Sequence, residues 1–252
     1  MSTIPSRRRS TLGAGVRAWA IPGLVGLGTL GAIALGENAF RMWAAEDRIC
    51  EWLQVVFYLG ALVEAIRARN ALARSSRRGT ATQYFVAVLG LVFLVGEEVS
   101  WGQRIFGWST PEPLAEVNRQ GETTLHNIGA AHDAVGWVLL AIGFWGSVLP
   151  RLLREGAALG RWRGALHPFV PDANLAPYFL PMLVWRLYRN LFPLPATYAY
   201  SIVQLNEPLE LVMAIGFWQF FRSRAREFAG QSDRRPSGGR ASGSTAEAHQ
   251  GR

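Results

Sequence analysis

Acidic residues occur in three short blocks that lie beside or within apolar segments of the sequence. The blocks are Gly96-Glu97-Glu98-Val99-Ser100-Trp101-Gly102-Gln103-Arg104, then Gln120 to Asn127, then Asn206-Glu207-Pro208-Leu209-Glu210. A carboxylate next to an apolar segment is costly unless it is paired, hydrated or bound to a metal ion. The blocks therefore indicate acid–base catalysis, cation binding or structural ion pairing.

The first block follows an apolar segment, so we treat it as the end of a helix. Positions spaced i, i+3, i+4 and i+7 share a helical face, which would group Glu97 with residues 100, 101 and 104 and leave Glu98 elsewhere. Glu97 and Glu98 are catalytic candidates. The alternative is that they only end a span, with Glu97 and Arg104 as a salt bridge. The substrate-binding candidates here are Ser100, Trp101, Gln103 and Arg104.

The second block leads into another apolar segment. A helix that begins near Glu122 would place Glu122, His126 and Asp133 on one face. A Glu and a His four residues apart chelate a divalent ion or form an acid–base pair. The alternative makes Glu122 and Asp133 helix-start acids and His126 an interfacial hydrogen-bonding residue. His126 is a catalytic candidate, and Asn127 a substrate-binding one.

The third block interrupts the apolar segment 196–221. A spanning helix would carry Glu207 and Glu210 near the middle of the bilayer, where an acid needs a partner or a water-filled cavity. Pro208 removes a backbone donor and is expected to kink this helix. Glu207 is a catalytic candidate and Asn206 a substrate-binding one.

Two roles are open for Arg186 and Arg189, which precede the third block. Spaced three residues apart, they suit an anionic group such as a phosphate. The alternative is a structural ion pair with an acid of the third block. One divalent ion is the cofactor that the blocks suggest, with ligands drawn from Glu98, Glu122, His126, Glu207 and Glu210.

Six apolar segments must position these blocks. Most approach 20 residues with little alternation, which suits spanning helices better than the roughly 10-residue strands of a barrel. We predict an all-α, polytopic transmembrane bundle over residues 16–221, a disordered basic N-terminus over 1–15, and a disordered tail over 222–252. The first segment is favoured as an uncleaved span over a secretory signal. The segments are 18–36, 49–66, 83–96, 128–149, 173–184 and 196–221.

Composition supports this class. Of 252 residues, 50% are hydrophobic and 17% are charged, against about 25% charged in soluble domains. No lysine is present, which excludes a Schiff-base or P-loop lysine. Cys50 is the single cysteine, so no internal disulfide forms. The net charge of +8 comes from arginines between apolar segments and in the tails, and no nucleic acid is predicted as partner.

Arginine distribution predicts the orientation. Segments 1–17, 67–81, 151–172 and 222–252 hold 20 of the 26 arginines. Positively charged loops stay in the cytoplasm, so both termini are predicted to be cytoplasmic, in a bacterial inner membrane. The acids fall mainly on the opposite side, and a polar site is expected to open outward.

The blocks carry a family resemblance. The sequence resembles an uncharacterised group of bacterial multi-pass membrane proteins with a G-E-E-x-S-W-G-Q-R block followed by a Q-G-E-x-x-x-H-N block. About forty residues carry it, including Thr110-Pro111 and the stretch from Glu46 to Trp52. The resemblance implies a multi-pass membrane protein and no particular activity.

Three functions are compatible with these observations. The first is a metal-assisted or acid–base enzyme acting on a lipid or isoprenoid-type substrate, with the arginines on its anionic group. The second is a proton, ion or small-solute transporter. The third is a noncatalytic subunit of a membrane complex, although interhelical polar contacts often contribute no more than ~1 kcal/mol, which makes so many acids excessive for that role.

Overall fold

The computed structural model describes residues 11–75, 77–116, 118, 123–124, 128–193 and 199–233, and every regular element in these ranges is a helix. The predicted all-α class is confirmed. The long helices are α1 (Thr11–Ala34), α3 (Ile49–Arg74), α4 (Arg78–Glu98), α7 (Gly129–Ser147), α11 (Ala176–Leu191) and α13 (Asn206–Asp233). The short ones are α2 (Glu37–Ala44), α5 (Gln103–Phe106), α6 (Glu112–Ala115), α8 (Leu149–Glu155), α9 (Ala157–Gly160), α10 (Arg163–Leu166) and α12 (Ala199–Gln204).

Four stretches of the described chain are long and apolar enough to cross a membrane. They are Arg17–Ala34, Glu37–Arg74, Arg78–Glu98 and Ala134–Glu155. They cover the first four predicted segments. The fifth and sixth predicted spans are not among them, because α11 has only 16 residues and α13 carries charged residues at both ends.

Helices α3 and α13 form the centre of the bundle and run parallel. Gln54 contacts Glu207 near their starts, and Arg77 donates to Gln231 at their far ends. Gly60 admits the Trp218 ring, since a Cβ there would lie 2.9 Å from it. The α3 side of this contact also includes alanines at 61, 65, 68 and 71, each at most 1% exposed, and small residues let helices approach closely.

The parallel arrangement gives the bundle two different ends. We call the end with the starts of α3 and α13 the acidic end, because it holds Glu51 and Glu207. We call the opposite end the arginine end, because Arg67 to Arg78 and Arg222 to Arg226 lie there. Helix α4 turns back from the arginine end and finishes at Glu98.

Helices α7 and α11 form a second close pair, which is antiparallel. A Cβ at Gly143 would lie 2.7 Å from the backbone nitrogen of Leu183, and Phe179 packs directly on Gly146. Two glycines on one face of α7 therefore bring α11 to backbone contact. Ion pairing between Arg186 and Glu210 then joins α11 to α13.

The segment 167–175 closes the arginine end and leads into α11. Three side chains from three helices donate hydrogen bonds to its carbonyls. These contacts fix the course of the chain between α10 and α11. The donors are Tyr84 of α4, Trp145 of α7 and Arg224 of α13, and the acceptors are the carbonyls of Pro168, Phe169 and Val170.

The predicted tail boundary at residue 222 is wrong, since α13 continues to Asp233. Composition misled the prediction because the last turns are rich in arginine, yet one face stays buried. Arg224 and Phe228 are each 2% exposed, and the Phe228 ring meets Tyr84 edge-on. At the other terminus α1 begins at Thr11, inside the stretch predicted to be disordered. The rest of both predicted tails lies outside the described residues.

Candidate functional site

The acidic end is organised around a hydrogen bond between residues 153 positions apart in the sequence. The side-chain amide nitrogen of Gln54 donates to the Glu207 carboxylate (2.9 Å) and to the Glu207 carbonyl (3.1 Å). Gln54 is fully buried, at 0% exposure. Sequence reasoning missed Gln54. The available signal was a polar residue within the apolar segment 49–66, one helical turn after Glu51.

Glu210 lies one turn further along α13 and has its own partners. The Asn206 amide nitrogen donates to a Glu210 carboxylate oxygen. The Arg186 guanidinium lies 3.8 Å from the same oxygen, and both side chains are more than four-fifths buried. The structure therefore contains the ion pair that the sequence offered as the alternative for Arg186, and Glu210 forms it.

Glu207 lies nearer to one end of the bundle than the sequence predicted. Glu207 is the second residue of α13, and a turn at Leu205 separates this helix from α12. Pro208 is third, within the first turn, where a missing N–H breaks no helical hydrogen bond. It therefore starts the helix and produces no kink. Because Glu207 is level with Gln54, about one and a half turns into α3, it lies near the acidic end and not at the middle of the bundle.

Further carboxylates lie near Glu207, in the turn before α3 and in the first turn of that helix. Those of Glu46 and Glu51 lie within electrostatic range of it, as does Glu210. Glu51 is 7% exposed and accepts a hydrogen bond of 2.6 Å from the backbone nitrogen of Asp47. That bond satisfies a donor just before α3 and fixes the carboxylate at the helix start.

Tyr58 connects Glu98 to the same region. Tyr58 is 2% exposed, and its hydroxyl lies within electrostatic range of the carboxylates of Glu98, Glu207 and Glu210. The end of α4 and the start of α13 therefore face a common side chain on α3. Of the four predicted catalytic residues, Glu98 and Glu207 both lie near Tyr58, but Glu98 is not among the charges that act on Glu207.

Buried polar atoms without hydrogen-bond partners concentrate at this end. Five of the six such side-chain atoms found among the described residues belong to α3, α11 and α13 near Glu207 and Glu210. Buried polar groups are normally hydrogen-bonded, so each exception requires an explanation. Together they present both donors and acceptors for a polar ligand or water. The atoms are Gln54 Oε1, Asn206 Oδ1, Arg186 Nε, Arg189 Nε and Asn190 Nδ2.

The donor side of this set lies on α11 and depends on a glycine in α7. A Cβ at Gly136 would lie 3.0 Å from Asn190 Oδ1 and 3.7 Å from Arg186 Nη1. The absence of a side chain at Gly136 leaves space for both polar groups. Arg189 lies one turn beyond Arg186, with its guanidinium 5.8 Å from the centre of the Trp185 ring.

The backbone after α4 differs from the predicted helix. α4 ends at Glu98, and Ser100, Trp101 and Gly102 then have φ of 47°, 53° and 90°. This left-handed turn breaks the helical spacing, so the predicted shared face of residues 97, 100, 101 and 104 does not exist. Arg104 lies in α5 beyond the turn, and its side chain is outside the described part.

The turn nevertheless folds Trp101 back over α4. Its indole nitrogen donates to a Glu97 carboxylate oxygen at 2.6 Å, and Glu97 is 6% exposed. Gly96 makes this possible, because a Cβ there would lie 2.9 Å from the indole ring. The Gly-Glu-Glu-x-Ser-Trp-Gly pattern is therefore explained by a turn in which Trp101 satisfies Glu97. Glu97 has a structural partner, and no described contact connects it to Glu207.

Gln103 connects the first block to the second. Its side-chain oxygen accepts from the backbone nitrogen of Thr123 (2.8 Å), and its nitrogen donates to the Thr110 hydroxyl (2.9 Å). Ser100 is fully buried beside it. In the structure Gln103 therefore holds two loop segments together, whereas the sequence suggested that it binds substrate.

The described residues of the second block are not helical, whereas the sequence predicted a helix that begins near Glu122. Thr123 and Thr124 are not helical, Asn118 pairs with Ile128 in an isolated antiparallel bridge, and α7 begins only at Gly129. The Asn118 amide donates to the Thr124 carbonyl at 2.7 Å, which links these two residues directly. Three candidates of this block lie outside the described residues, as do the side chains of His132 and Asp133. These candidates are Glu122, His126 and Asn127.

A divalent-ion site remains a prediction. Within the described chain, no three His, Cys, Asp or Glu side chains are arranged to hold one metal ion. Glu207 and Glu210 are instead engaged by side-chain amides. Glu122 and His126, the other predicted ligands apart from Glu98, are outside the described part of the molecule.

Comparison of the chain with protein-family models, curated proteins and solved structures finds no match. Its chemistry must therefore be argued from the acidic end itself. There, carboxylates of α13 face cationic and amide groups of α11 across a buried region. Such a site is able to hold a polar or anionic group and to exchange a proton with it.

Proposed function

We propose that α11 and α13 complete six spans, with both termini in the cytoplasm and the acidic end on the outer side of a bacterial inner membrane. The arginine distribution supports this orientation. The parallel course of α13 along α3 supports a sixth span, because a helix packed against a spanning helix over its length crosses the same layer. α11 leads from the arginine end to the acidic end beside them.

We propose further that the protein is a membrane-embedded acid–base enzyme acting on the polar group of a lipid or isoprenoid-type substrate. The observation that carries this proposal is the set of unpartnered buried donors and acceptors around Glu207 and Glu210. Leaving such groups unpaired costs about 1–3 kcal/mol each. That cost is expected where a bound substrate satisfies them.

In this proposal each helix has a distinct role. Glu207 exchanges a proton with the substrate, and Gln54 holds its carboxylate in one orientation. Arg186 and Arg189 bind the anionic part of the substrate through charge-assisted hydrogen bonds. Glu210 keeps the Arg186 guanidinium in place by ion pairing.

The test uses a strain that lacks the gene and is complemented with variants. Glu207→Gln keeps the shape of the side chain and its hydrogen bond to Gln54 but removes the exchangeable proton. Glu37→Gln is the matched control, because Glu37 is an exposed carboxylate at the same end of the bundle, paired only with Arg41 among the contacts found. Lipid extracts are compared by mass spectrometry, and protein levels by immunoblot.

We expect the deletion to accumulate one lipid class, and the wild type and Glu37→Gln to restore the normal profile. The Glu207→Gln protein should reach normal abundance without restoring the normal lipid profile. An unchanged lipid profile in the deletion strain would contradict the enzyme proposal. So would full restoration by Glu207→Gln.

Proton or ion transport is the second candidate. It is favoured by the carboxylates that lie within electrostatic range of one another at the starts of α3 and α13, which form a set of proton-accepting groups. In proteoliposomes that contain a pH-sensitive dye, a transporter should acidify the lumen under an imposed gradient, and Glu207→Gln should abolish that flux. Absence of flux in the wild type, combined with loss of protein abundance in Glu207→Gln, would instead indicate a structural subunit.

A further inference from the structure

A groove at the arginine end lies outside the candidate site at the acidic end. It lies between the last turns of α3 and the corresponding part of α13 and encloses about 590 Å³. Its polar lining comes from both helices. The charged, amide and aromatic lining residues are Glu64, Arg67, Asn70 and Arg74 of α3 and Trp218, Arg222 and Arg226 of α13.

The charge of the groove is strongly positive and incompletely neutralised. Arg67 is paired with Glu64 at 3.1 Å. Within the described chain, no carboxylate lies within ion-pair distance of Arg74, Arg222 or Arg226. The carboxylate that lines the cavity, Glu64, is paired with Arg67, so an anion in the groove would be stabilised by the three remaining cations.

Arg224 differs from the groove arginines of α13, because it has a carboxylate partner. It is 2% exposed and bonds to Glu227 at 2.8 Å and to the Val170 carbonyl at 2.8 Å. The arginine that the fold itself uses is therefore buried and hydrogen-bonded through both terminal nitrogens on the far face. Arg222 and Arg226, on the groove face, are left for a ligand.

The groove also has an apolar approach on the side of the acidic end. Val63 lies one turn before Arg67 on the same face of α3 and is 48% exposed. The Trp218 ring of α13 packs on Gly60, about one turn before Val63 in α3, and the Arg222 guanidinium stacks over that ring at 4.9 Å. An aromatic ring between a cationic site and an apolar surface is the arrangement found at membrane–water interfaces.

We propose that this groove binds the phosphate headgroup of an anionic phospholipid, with the acyl chains lying along the exposed apolar face of α3. Free phosphate shares the headgroup chemistry, but it would gain nothing from the apolar approach beside Val63. Clusters of arginine at the cytoplasmic boundary of membrane helices typically recognise anionic lipids, at about 1 kcal/mol per side chain. The site is separate from the acidic end, and its occupancy does not depend on the enzyme proposal.

The test measures lipid binding to the full chain in detergent by native mass spectrometry and by titration with a fluorescent phosphatidylglycerol. The variant is Arg74→Gln/Arg222→Gln/Arg226→Gln. The matched control is Arg69→Gln/Arg78→Gln/Arg151→Gln, which removes three exposed arginines of the same end that do not line the groove. Phosphatidylcholine and inorganic phosphate serve as separate probes.

We expect the groove variant to weaken phosphatidylglycerol binding at least about tenfold and the control to change it less than threefold, with weak binding of phosphatidylcholine throughout. Equal losses in the two triple variants would overturn the proposal, because binding would then follow net charge alone. A third result would be that millimolar phosphate competes with the fluorescent lipid while native mass spectrometry finds no phosphatidylglycerol retained on the protein. That result would overturn the lipid assignment in favour of a free-anion site. If the triple variant fails to fold, Arg226→Gln and Arg69→Gln provide the same comparison with one substitution each.

Discussion

Replacing Gln54 by Leu should destabilise the bundle through Glu207. The substitution removes two hydrogen bonds, one of them 2.9 Å long and to a carboxylate, at a position with 0% exposure. Hydrogen bonds to charged groups contribute about 1.5–3 kcal/mol, and a buried acceptor left without a donor adds to the loss. We therefore expect Gln54→Leu to lower the unfolding free energy by about 2–3 kcal/mol. This exceeds the ~1 kcal/mol typical of interhelical polar contacts in membranes.

The assay is equilibrium unfolding in mixed micelles, carried out as a double-mutant cycle with Glu207→Leu. Each single variant leaves one polar partner buried and unsatisfied, whereas Gln54→Leu/Glu207→Leu replaces both by apolar groups. Replacing both partners is often nearly neutral. The double variant should therefore be more stable than the sum of the single effects predicts, by at least about 1.5 kcal/mol.

Additive effects of the two single substitutions would contradict the contact between Gln54 and Glu207. Distant, independent sites usually add within about 0.5 kcal/mol. If the two single effects summed to the double effect within that margin, Gln54 and Glu207 would not be in contact in the folded protein. The parallel packing of α3 and α13 at the acidic end would then be wrong.

Two further substitutions test the helix contacts. Gly143→Ala should destabilise the protein by about 1–3 kcal/mol, since its Cβ would lie 2.7 Å from the Leu183 backbone, whereas Gly90→Ala, with open space around it, should be neutral or stabilising in thermal unfolding. Equal effects would contradict the α7–α11 contact. Trp101→Phe keeps an aromatic ring but removes the 2.6 Å bond to Glu97, and thermal unfolding should show a loss of about 1–3 kcal/mol. An unchanged melting temperature would contradict the folded-back turn.

The helical class and the first four spans could be predicted from the sequence. Apolar runs near 20 residues leave the backbone one way to satisfy its hydrogen bonds in lipid, and that constraint acts locally. The separation of arginines from acids also carried over into the structure, as two chemically different ends of one bundle. Cys50, which lies in the apolar segment 49–66, is fully buried.

Helix ends were predicted poorly where polar residues compete with the helix. Periodicity continued α4 through Ser100, but the left-handed turn ends it at Glu98. Thr123 and Thr124 are not helical, and Asn118 bonds to Thr124, although a helix from near Glu122 was expected. Short polar side chains bond to nearby backbone groups and so offer alternatives to the helix.

The composition of the site could not be predicted in the same way. Local patterns identified Glu207, Glu210 and Arg186 as polar residues in an apolar setting, but they did not specify which partner each would meet. The pairing of Gln54 with Glu207 follows from the close parallel contact of α3 and α13, which depends on Gly60 accepting the Trp218 ring. A contact of this kind is set by complementary surfaces far apart in the chain, and helical periodicity holds no information about which surfaces meet.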